Sequence, residues 1–138
     1  MGKLKSVNDI CDLLMKHDIG PTQQRIRIAQ VLCSEPCHLS AEQILAGVNQ
    51  ETTHVSKATI YNTLNLFVSN GLIQEVIVDP NKVFYDSTAT PHFHFYNEDS
   101  GELLDIKERS LAFKTEPKVP KGTELAGIDI VVRIRNSS

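Results

Sequence analysis

No apolar run in this sequence approaches the roughly 20 residues that a membrane-spanning helix requires, and Met1 to Lys5 is not followed by the apolar stretch of a secretory leader. A cytoplasmic protein without membrane association is therefore expected. Cysteine is scarce and odd in number: Cys11, Cys33 and Cys37 make no disulfide framework, which fits a reducing compartment. Positive charge is not in excess either. Fourteen Lys and Arg against 17 Asp and Glu give a formal net charge of −3, the wrong sign for a chain that coats nucleic acid by electrostatics alone. Any DNA contact has to be local and shape-dependent. A length of 138 residues excludes a large multidomain enzyme. The 41% apolar and 22% charged residues have the balance of a soluble globular protein.

Helical periodicity runs over residues 1–70, and mostly strand-like alternation over residues 72–136. Ser6 followed by Asp9 starts a first helix with Val7, Ile10 and Leu14 on one face, and Gly20-Pro21 stops it. Thr22 caps a second helix through about Cys33, with Ile26, Ala29, Val31 and Leu32 inward and Gln24, Arg25 and Arg27 in solvent. Ser40 and Gln43 match a capping box for a short third helix. Ser56 caps a fourth, in which Ile60, Leu64 and Phe67 recur at i, i+4 and i+7 before Asn70-Gly71 ends it. Its other face is Lys57, Thr59, Asn62, Thr63 and Asn65, and no acid occurs from Thr52 to Gln74. Such a face can lie in a groove without repelling phosphate. Leu72–Val78 and Val83–Tyr85 then read as a hairpin around a four-residue loop, Asp79 to Lys82. Helix, turn, helix, hairpin is the winged-helix order. Six Lys and Arg against seven Asp and Glu over residues 1–78 predict weak non-specific affinity, which two copies on a two-fold site would offset. The competing reading is that these helices only pack against one another.

The second half opens on His92-Phe93-His94-Phe95-Tyr96-Asn97. In a strand, this alternation puts both imidazoles on one face and both phenylalanines toward the core. Paired imidazoles are half of a divalent-metal site, though they are also common as plain surface residues. Glu98 to Gly101 makes a turn, and Glu102 to Ile106 returns as a partner strand that can bring Asp105 beside the histidines. A short helix is expected over Glu108 to Lys114, then a Lys-rich loop with Pro117 and Pro120. Ile128 to Arg135 is a last strand, with Ile130, Val132 and Ile134 on one face. So small a sheet leaves open edges, and a homodimer is the economical way to complete its core.

Gly20-Pro21-Thr22-Gln23-Gln24-Arg25, His38-Leu39-Ser40-Ala41-Glu42, Ser56 to Leu64 and the His92-x-His94 hairpin resemble the ferric uptake regulator (Fur) superfamily, in order and spacing from Ser6 to Arg135. Residues 92–106 look most like its iron response regulator (Irr) branch. The resemblance implies an α+β protein: a winged helix-turn-helix DNA-binding domain over residues 1–85, then a small α/β dimerisation and metal-sensing domain over residues 86–138. Carried over by position, the regulatory ligands are His38, Asp86, His92, His94 and Asp105, a set like that of the peroxide-sensing PerR branch. The iron-sensing branch places a Glu where Tyr85 stands, so Tyr85 and Asp86 compete for one place. Three imidazoles and two carboxylates suit Fe²⁺ or Mn²⁺, and less selectively Zn²⁺.

For the DNA face, the resemblance points to Tyr61 against thymine methyls, with Ser56, Lys57, Thr59 and Asn62 nearby and Arg25 on a phosphate or in the adjacent groove. Asn62 replaces the Arg of many relatives. Most of the superfamily binds structural zinc through a Cys-x-x-Cys on the His hairpin, but here those places hold Asn97 and Ser100, so no structural Cys-type zinc is expected. A Cys33, Cys37 and His38 cluster is the alternative, set against two thiols that simply pack. Haem, associated with the Irr branch through a Cys-Pro, is the lesser cofactor: Cys11 precedes Asp12, and Pro36 precedes Cys37. The function implied is a repressor-type, metal-responsive regulator of iron/haem or peroxide-response genes, dimeric on a pseudo-palindromic double-stranded operator. The alternative from the residues themselves is a small metal-dependent enzyme with His92, His94 and a carboxylate as a facial triad.

Overall fold

The computed structural model describes residues 5–34, 37–50, 54–88, 92–107 and 115–138. The helix expected over Glu108 to Lys114 lies outside them. The chain forms two compact units, Met1–Thr90 and Pro91–Ser138. Among the described residues no helix is long and apolar enough to cross a membrane.

In the first unit, the helices are α1 (Val7–Lys16), α2 (Gln23–Cys33), α3 (Ala41–Val48) and α4 (Lys57–Ser69). Each starts on the hydroxyl foreseen from sequence: the side chains of Ser6, Thr22, Ser40 and Ser56 accept the N–H groups of Asp9, Arg25, Gln43 and Thr59. The Ser40–Gln43 capping box is complete, with Gln43 Oε1 accepting the Ser40 N–H at 2.9 Å. The first helix ends earlier than expected. Asp18, at φ 57°, supplies the left-handed residue, and the N–H groups of Ile19 and Asp18 close onto the carbonyls of Leu14 and Met15. That is a Schellman closure without glycine, so Gly20-Pro21 punctuates the following loop. Gly71 closes α4 in the same way, at φ 75° with Leu72 N–H on Phe67 O.

Ile10, Leu14, Ile28, Leu32, Ile44, Ile60, Leu64 and Phe67 form a solvent-free core with Val48 and Ala29. At roughly 1.5–3 kcal/mol per buried large apolar side chain, this cluster is what holds the helices together. The stripe of α2 is centred on Ile28 and Ala29, with Ile26 and Val31 only half-buried. Thr63, expected on the outer face of α4, is buried instead. It lies three residues from Ile60 and next to Leu64, inside the core-facing arc.

The hairpin strands are β2 (Gln74–Asp79) and β3 (Lys82–Asp86). The loop is Pro80-Asn81 alone, not the four residues expected, because Asp79 pairs with Lys82. Asp79 Oδ1 accepts the Asn81 N–H at 2.8 Å, and a register shift between Ile77 and Asp79 absorbs the tight turn. A two-residue strand the sequence did not announce, β1 (His38–Leu39), adds to β3, so the sheet order is β1-β3-β2.

The second unit is a three-stranded sheet in the order β5-β4-β6, from β4 (His94–Asn97), β5 (Leu103–Asp105) and β6 (Val131–Ile134). β4 and β5 are antiparallel, and β6 runs parallel to β4. The expected core face is reversed. His94 and Tyr96 are buried, whereas Phe93 and Phe95 are half-buried. Leu104 and Val132 flank Phe95 in register, and Leu104 is 40% exposed. Among the described residues of this unit only Tyr96 and Leu103 are fully buried apolar side chains, a thin core for an independent fold.

Candidate metal and nucleic-acid sites

Each unit carries one imidazole–carboxylate group. In the first, the β1–β3 ladder sets His38 directly opposite Asp86, and their Nε2 and Oδ2 atoms lie 3.1 Å apart. Asp86 is 1% exposed. Its other oxygen accepts the Thr88 N–H at 2.8 Å, an Asx turn that fixes the carboxylate rotamer. The Thr88 carbonyl in turn accepts the Gln74 amide at 3.1 Å, and Ser87 Oγ accepts the Cys37 N–H at 3.2 Å. These supporting residues were missed from sequence, although Asp-x-Thr after a strand is an Asx-turn signal. Tyr85, the rival for the same ligand place, belongs to the helical core cluster. Its phenol is pushed above its usual range by burial, with Glu75 and Tyr61 adding to the effect.

In the second unit, β4 pairs His94 with Asp105. Asp105 Oδ1 lies 3.0 Å from His92 Nε2 and 3.5 Å from His94 Nε2. The two rings stand 4.4 Å apart between centroids, and one ligand atom from each of the three residues falls within 4.8 Å of the others. His92 lies two residues before the start of β4. Two donors about 2.1 Å from one ion sit roughly 3.0 Å apart at a right angle and about 3.4 Å apart at the tetrahedral angle. Within each unit, the His–Asp distances match those of two adjacent ligands of a divalent ion.

The sulfur alternative is not supported. Cys33 is part of the helical core, and Cys37 packs against it with its thiol on Leu32 O at 3.1 Å. Burial pushes the Cys33 thiol up to about 11, partly opposed by Lys5. Among the described residues, the metal-competent grouping includes neither. At the places of the Cys-x-x-Cys, Asn97 Oδ1 accepts the N–H groups of Asp99 (2.9 Å) and Ser100 (3.1 Å). The Asn97 amide donates to Asn136 Oδ1 at 2.8 Å, and the Asn136 N–H donates to Asp99 Oδ2 at 2.9 Å. Hydrogen bonds thus tie the chain after β6 to the β4–β5 turn.

On α4, Lys57, Tyr61, Asn62 and Asn65 are exposed, Tyr61 by 39%, and Thr59 is half-buried. Ser56 is occupied at the cap, its hydroxyl 2.9 Å from Thr59 Oγ1. Arg25, on the first turn of α2, donates from Nη1 to Gly20 O at 2.8 Å in the loop before the helix.

Residues 16–133 match the family model described as the ferric uptake regulator family. The chain is 29% identical over 94 residues to the peroxide-responsive repressor PerR of Staphylococcus aureus, spanning 68% of this chain and 64% of that protein. With the PerR of Staphylococcus epidermidis it is 29% identical over 93 residues, 67% and 62% of the two chains. It therefore spans less than two thirds of the length of either repressor. Among solved structures, the ferric uptake regulator from Pseudomonas aeruginosa with manganese superposes with a TM-score of 0.68 at 23% identity, over 92% of this chain and 97% of that one. The Vibrio cholerae ferric uptake regulator gives 0.69 at 21%, over 91% and 98%. These likenesses establish the α+β fold. The chain belongs to the ferric uptake regulator family, which is made up of metal-responsive transcription regulators and not of enzymes.

Proposed function

We propose that this chain is a dimeric, metal-responsive, repressor-type transcription regulator that binds double-stranded DNA through its winged helix and senses a divalent cation through His38, Asp86, His92, His94 and Asp105. The observation that carries the reading is the doubled half-site: an imidazole and a carboxylate at ligand spacing in each unit, 3.1 Å apart in one and 3.0 and 3.5 Å apart in the other. Three neutral imidazoles and two carboxylates with no thiolate fit Fe²⁺ or Mn²⁺, with Zn²⁺ the less selective occupant. When bound, the cation would supply a positive centre for these donors.

The chain's residues determine the consequence of binding. Asp86 is locked to the wing strand by Thr88, and Asp105 is locked to β4 by the β5 ladder. A donor set drawn from two units favours whichever arrangement of the units satisfies it, and differential affinity of this kind is what a switch requires. Residues 1–85 then act as the DNA-binding domain and residues 86–138 as the dimerisation and sensing domain.

Members of the family are dimeric DNA-binding regulators, and the half-exposed apolar face of Phe95, Leu104 and Val132 is the surface a second copy would cover. Two-fold symmetry makes the operator a pseudo-palindrome. The genes served are those of the iron/haem or peroxide response, the second arm favoured by the PerR relatives. The test is a calorimetric titration of the full chain with Mn²⁺ and Fe²⁺, paired with operator binding with and without chelator. Saturable binding lost in His92→Ala, together with a metal-dependent change in DNA affinity, supports the proposal. Absence of binding, or equal DNA affinity in both states, overturns it.

A further inference from the structure

Two of the three cysteines meet where the chain leaves α2 for the first metal group, and the proposed ligand set uses neither. Cys33 is the last residue of α2, and Cys37 immediately precedes β1 and His38. Both lie outside any disulfide, Cys33 buried and Cys37 half-buried. The Cys37 thiol is 3.1 Å from Leu32 O, the carbonyl of the peptide whose nitrogen belongs to Cys33. Planar peptide geometry therefore puts Cys37 Sγ within about 6 Å of Cys33 Cα. Disulfides span Cα separations of about 4.4–6.8 Å, so joining the two sulfurs asks for side-chain rotation and a local shift, not for unfolding α2. The surroundings are electrostatically coupled: burial raises the Cys33 thiol, Lys5 opposes that, and Cys37 adds to it. Cys37 is also paired through its backbone to Ser87. Its N–H donates to Ser87 Oγ at 3.2 Å, and its carbonyl accepts the Ser87 N–H at 3.3 Å. That pair adjoins the register in which His38 faces Asp86.

We propose that Cys33 and Cys37 are a thiol–disulfide pair, closed by a hydroperoxide, and that closure draws His38 from its place opposite Asp86 and weakens cation binding. The thiol chemistry stands on the contacts above, while its effect on the cation rests on the metal reading. The more accessible Cys37 reacts first. Its sulfur attacks the peroxide, the O–O bond breaks, an S–O bond forms, and the departing alcohol or water carries away the thiol proton. The Cys33 sulfur then attacks the sulfenic sulfur. The S–S bond forms, the S–O bond breaks, and hydroxide leaves with the Cys33 proton as water. Two thiols are oxidised and one peroxide is reduced, and a dithiol reductant reverses the change. Burial keeps the Cys33 thiol protonated, at about 11, which suits a resolving group and not the first to react. Once the S–S bond has formed, Cys37 has no proton to donate to Leu32 O, and its shift toward α2 pulls on both bonds to Ser87. His38 is the next residue.

The experiment treats the chelator-stripped full chain with stoichiometric hydrogen peroxide. Both cysteines fall in one tryptic segment, residues 28–57, so the expected product is a monomeric peptide lighter by two hydrogens that takes up no alkylating agent until dithiothreitol is added. Cys33→Ala should leave Cys37 as a sulfenic acid that dimedone captures, and Cys37→Ser should leave Cys33 alkylatable after unfolding. Far-UV circular dichroism verifies that both variants fold. With peroxide removed, calorimetric titration should show Mn²⁺ binding about tenfold or more weaker in the oxidised chain, recovered by dithiothreitol and unaffected by peroxide in Cys37→Ser. Two alkylatable thiols in this peptide after peroxide, or a disulfide joining either to Cys11, overturn the pair. Equal Mn²⁺ affinity in the oxidised and reduced chains overturns the switch. Failure of the reduced wild type to bind Mn²⁺ overturns the metal reading and the switch with it, while the peptide map still decides the disulfide.

Discussion

Replacing Asp86 by Asn separates what this buried carboxylate does for the fold from what it does for a cation. The change is nearly isosteric. The amide oxygen can still accept the Thr88 N–H that Oδ1 accepts at 2.8 Å, and the amide nitrogen can face His38 Nε2 where Oδ2 lies at 3.1 Å. What is lost is a negative charge on a residue 1% exposed. Desolvating such a charge costs several kcal/mol and its ionic hydrogen bonds return a similar amount, so metal-free stability should change by no more than about 1 kcal/mol. The metal response should behave differently. A ligand at 100 times its dissociation constant stabilises the folded state by about 3 kcal/mol, which in a domain-sized chain corresponds to roughly 10 °C in Tm. Thermal melts with and without saturating Mn²⁺ should show that shift in wild type and less than a third of it in Asp86→Asn. The Tyr85→Phe control should keep the full shift, because its ring belongs to the helical core. An undiminished shift in Asp86→Asn would refute the ligand assignment, and loss of the shift in Tyr85→Phe would transfer it to the neighbour.

Three other outcomes follow from the packing. The Cys33 thiol is held at about 11 in the fold by burial, above its usual 9.0, so the folded state favours the protonated form. Stability from this group is fully present below pH 9 and is lost as pH rises toward 11, by up to about 3 kcal/mol. Urea unfolding at pH 8 and pH 10.5 should show the loss, and Cys33→Ala should reduce it; Tyr85 shifts in the same direction, so Tyr85→Phe should account for a further share. Gly47→Ala should destabilise by about 1–2 kcal/mol despite the better helix propensity. Its new methyl would stand 2.9 Å from Val31 Cγ1, on a β-branched side chain that cannot easily rotate away in a helix, and an unchanged denaturation midpoint would count against this. Asn97→Ala removes three hydrogen bonds and should cost about 1–3 kcal/mol, seen as faster amide exchange in β6 and in the β4–β5 turn. Protection of β6 equal to wild type would show that the ladder to β4 suffices without the Asn97–Asn136 tie.

The helices were legible because their determinants are local: a hydroxyl cap, an apolar repeat and a closing residue all sit within one window of sequence. The same locality explains the errors. Asp18 could close α1 because aspartate tolerates the left-handed conformation, which a search for glycine passes over. Thr63 was placed outside because its chemistry resembles that of Thr59, although its helical phase matches Ile60. β1 left no trace, since two residues carry no periodicity and His38 is set by pairing to a strand nearly 50 positions away. Alternation in residues 92–97 gave the strand but not which side is enclosed. Imidazoles and phenylalanines can each face inward, and the choice depends on what covers the sheet. The histidines and aspartates of each group were named through family resemblance, and Asp-x-Thr was a legible turn signal, whereas the bond from the Cys37 N–H to Ser87 joins positions 50 residues apart and leaves no local trace.

The acidic balance that first argued against DNA binding becomes intelligible on the proposed mechanism. Non-specific affinity scales with the number of phosphates neutralised. A first unit with its arginines bound to its own carbonyls and a single lysine on α4 neutralises few. A chain of strong cationic character would stay on DNA in either signalling state, because a phosphate-driven contribution is indifferent to the angle between two reading helices. With that contribution small, occupancy depends on whether both helices of a dimer reach their half-sites together, and reading by neutral side chains tolerates little misplacement. Moving an operator from 1% to 99% occupancy takes about a 10⁴-fold change in affinity. On the proposed mechanism, a cation bound once per protomer contributes to that change twice. Low charge and a divided ligand set are thus two parts of one requirement. Adding two or three lysines to the exposed face of α4 should therefore raise affinity for any duplex while shrinking the ratio of metal-loaded to metal-free binding, measured on operator and random DNA at fixed salt; an unchanged ratio would uncouple the charge of this surface from the switch.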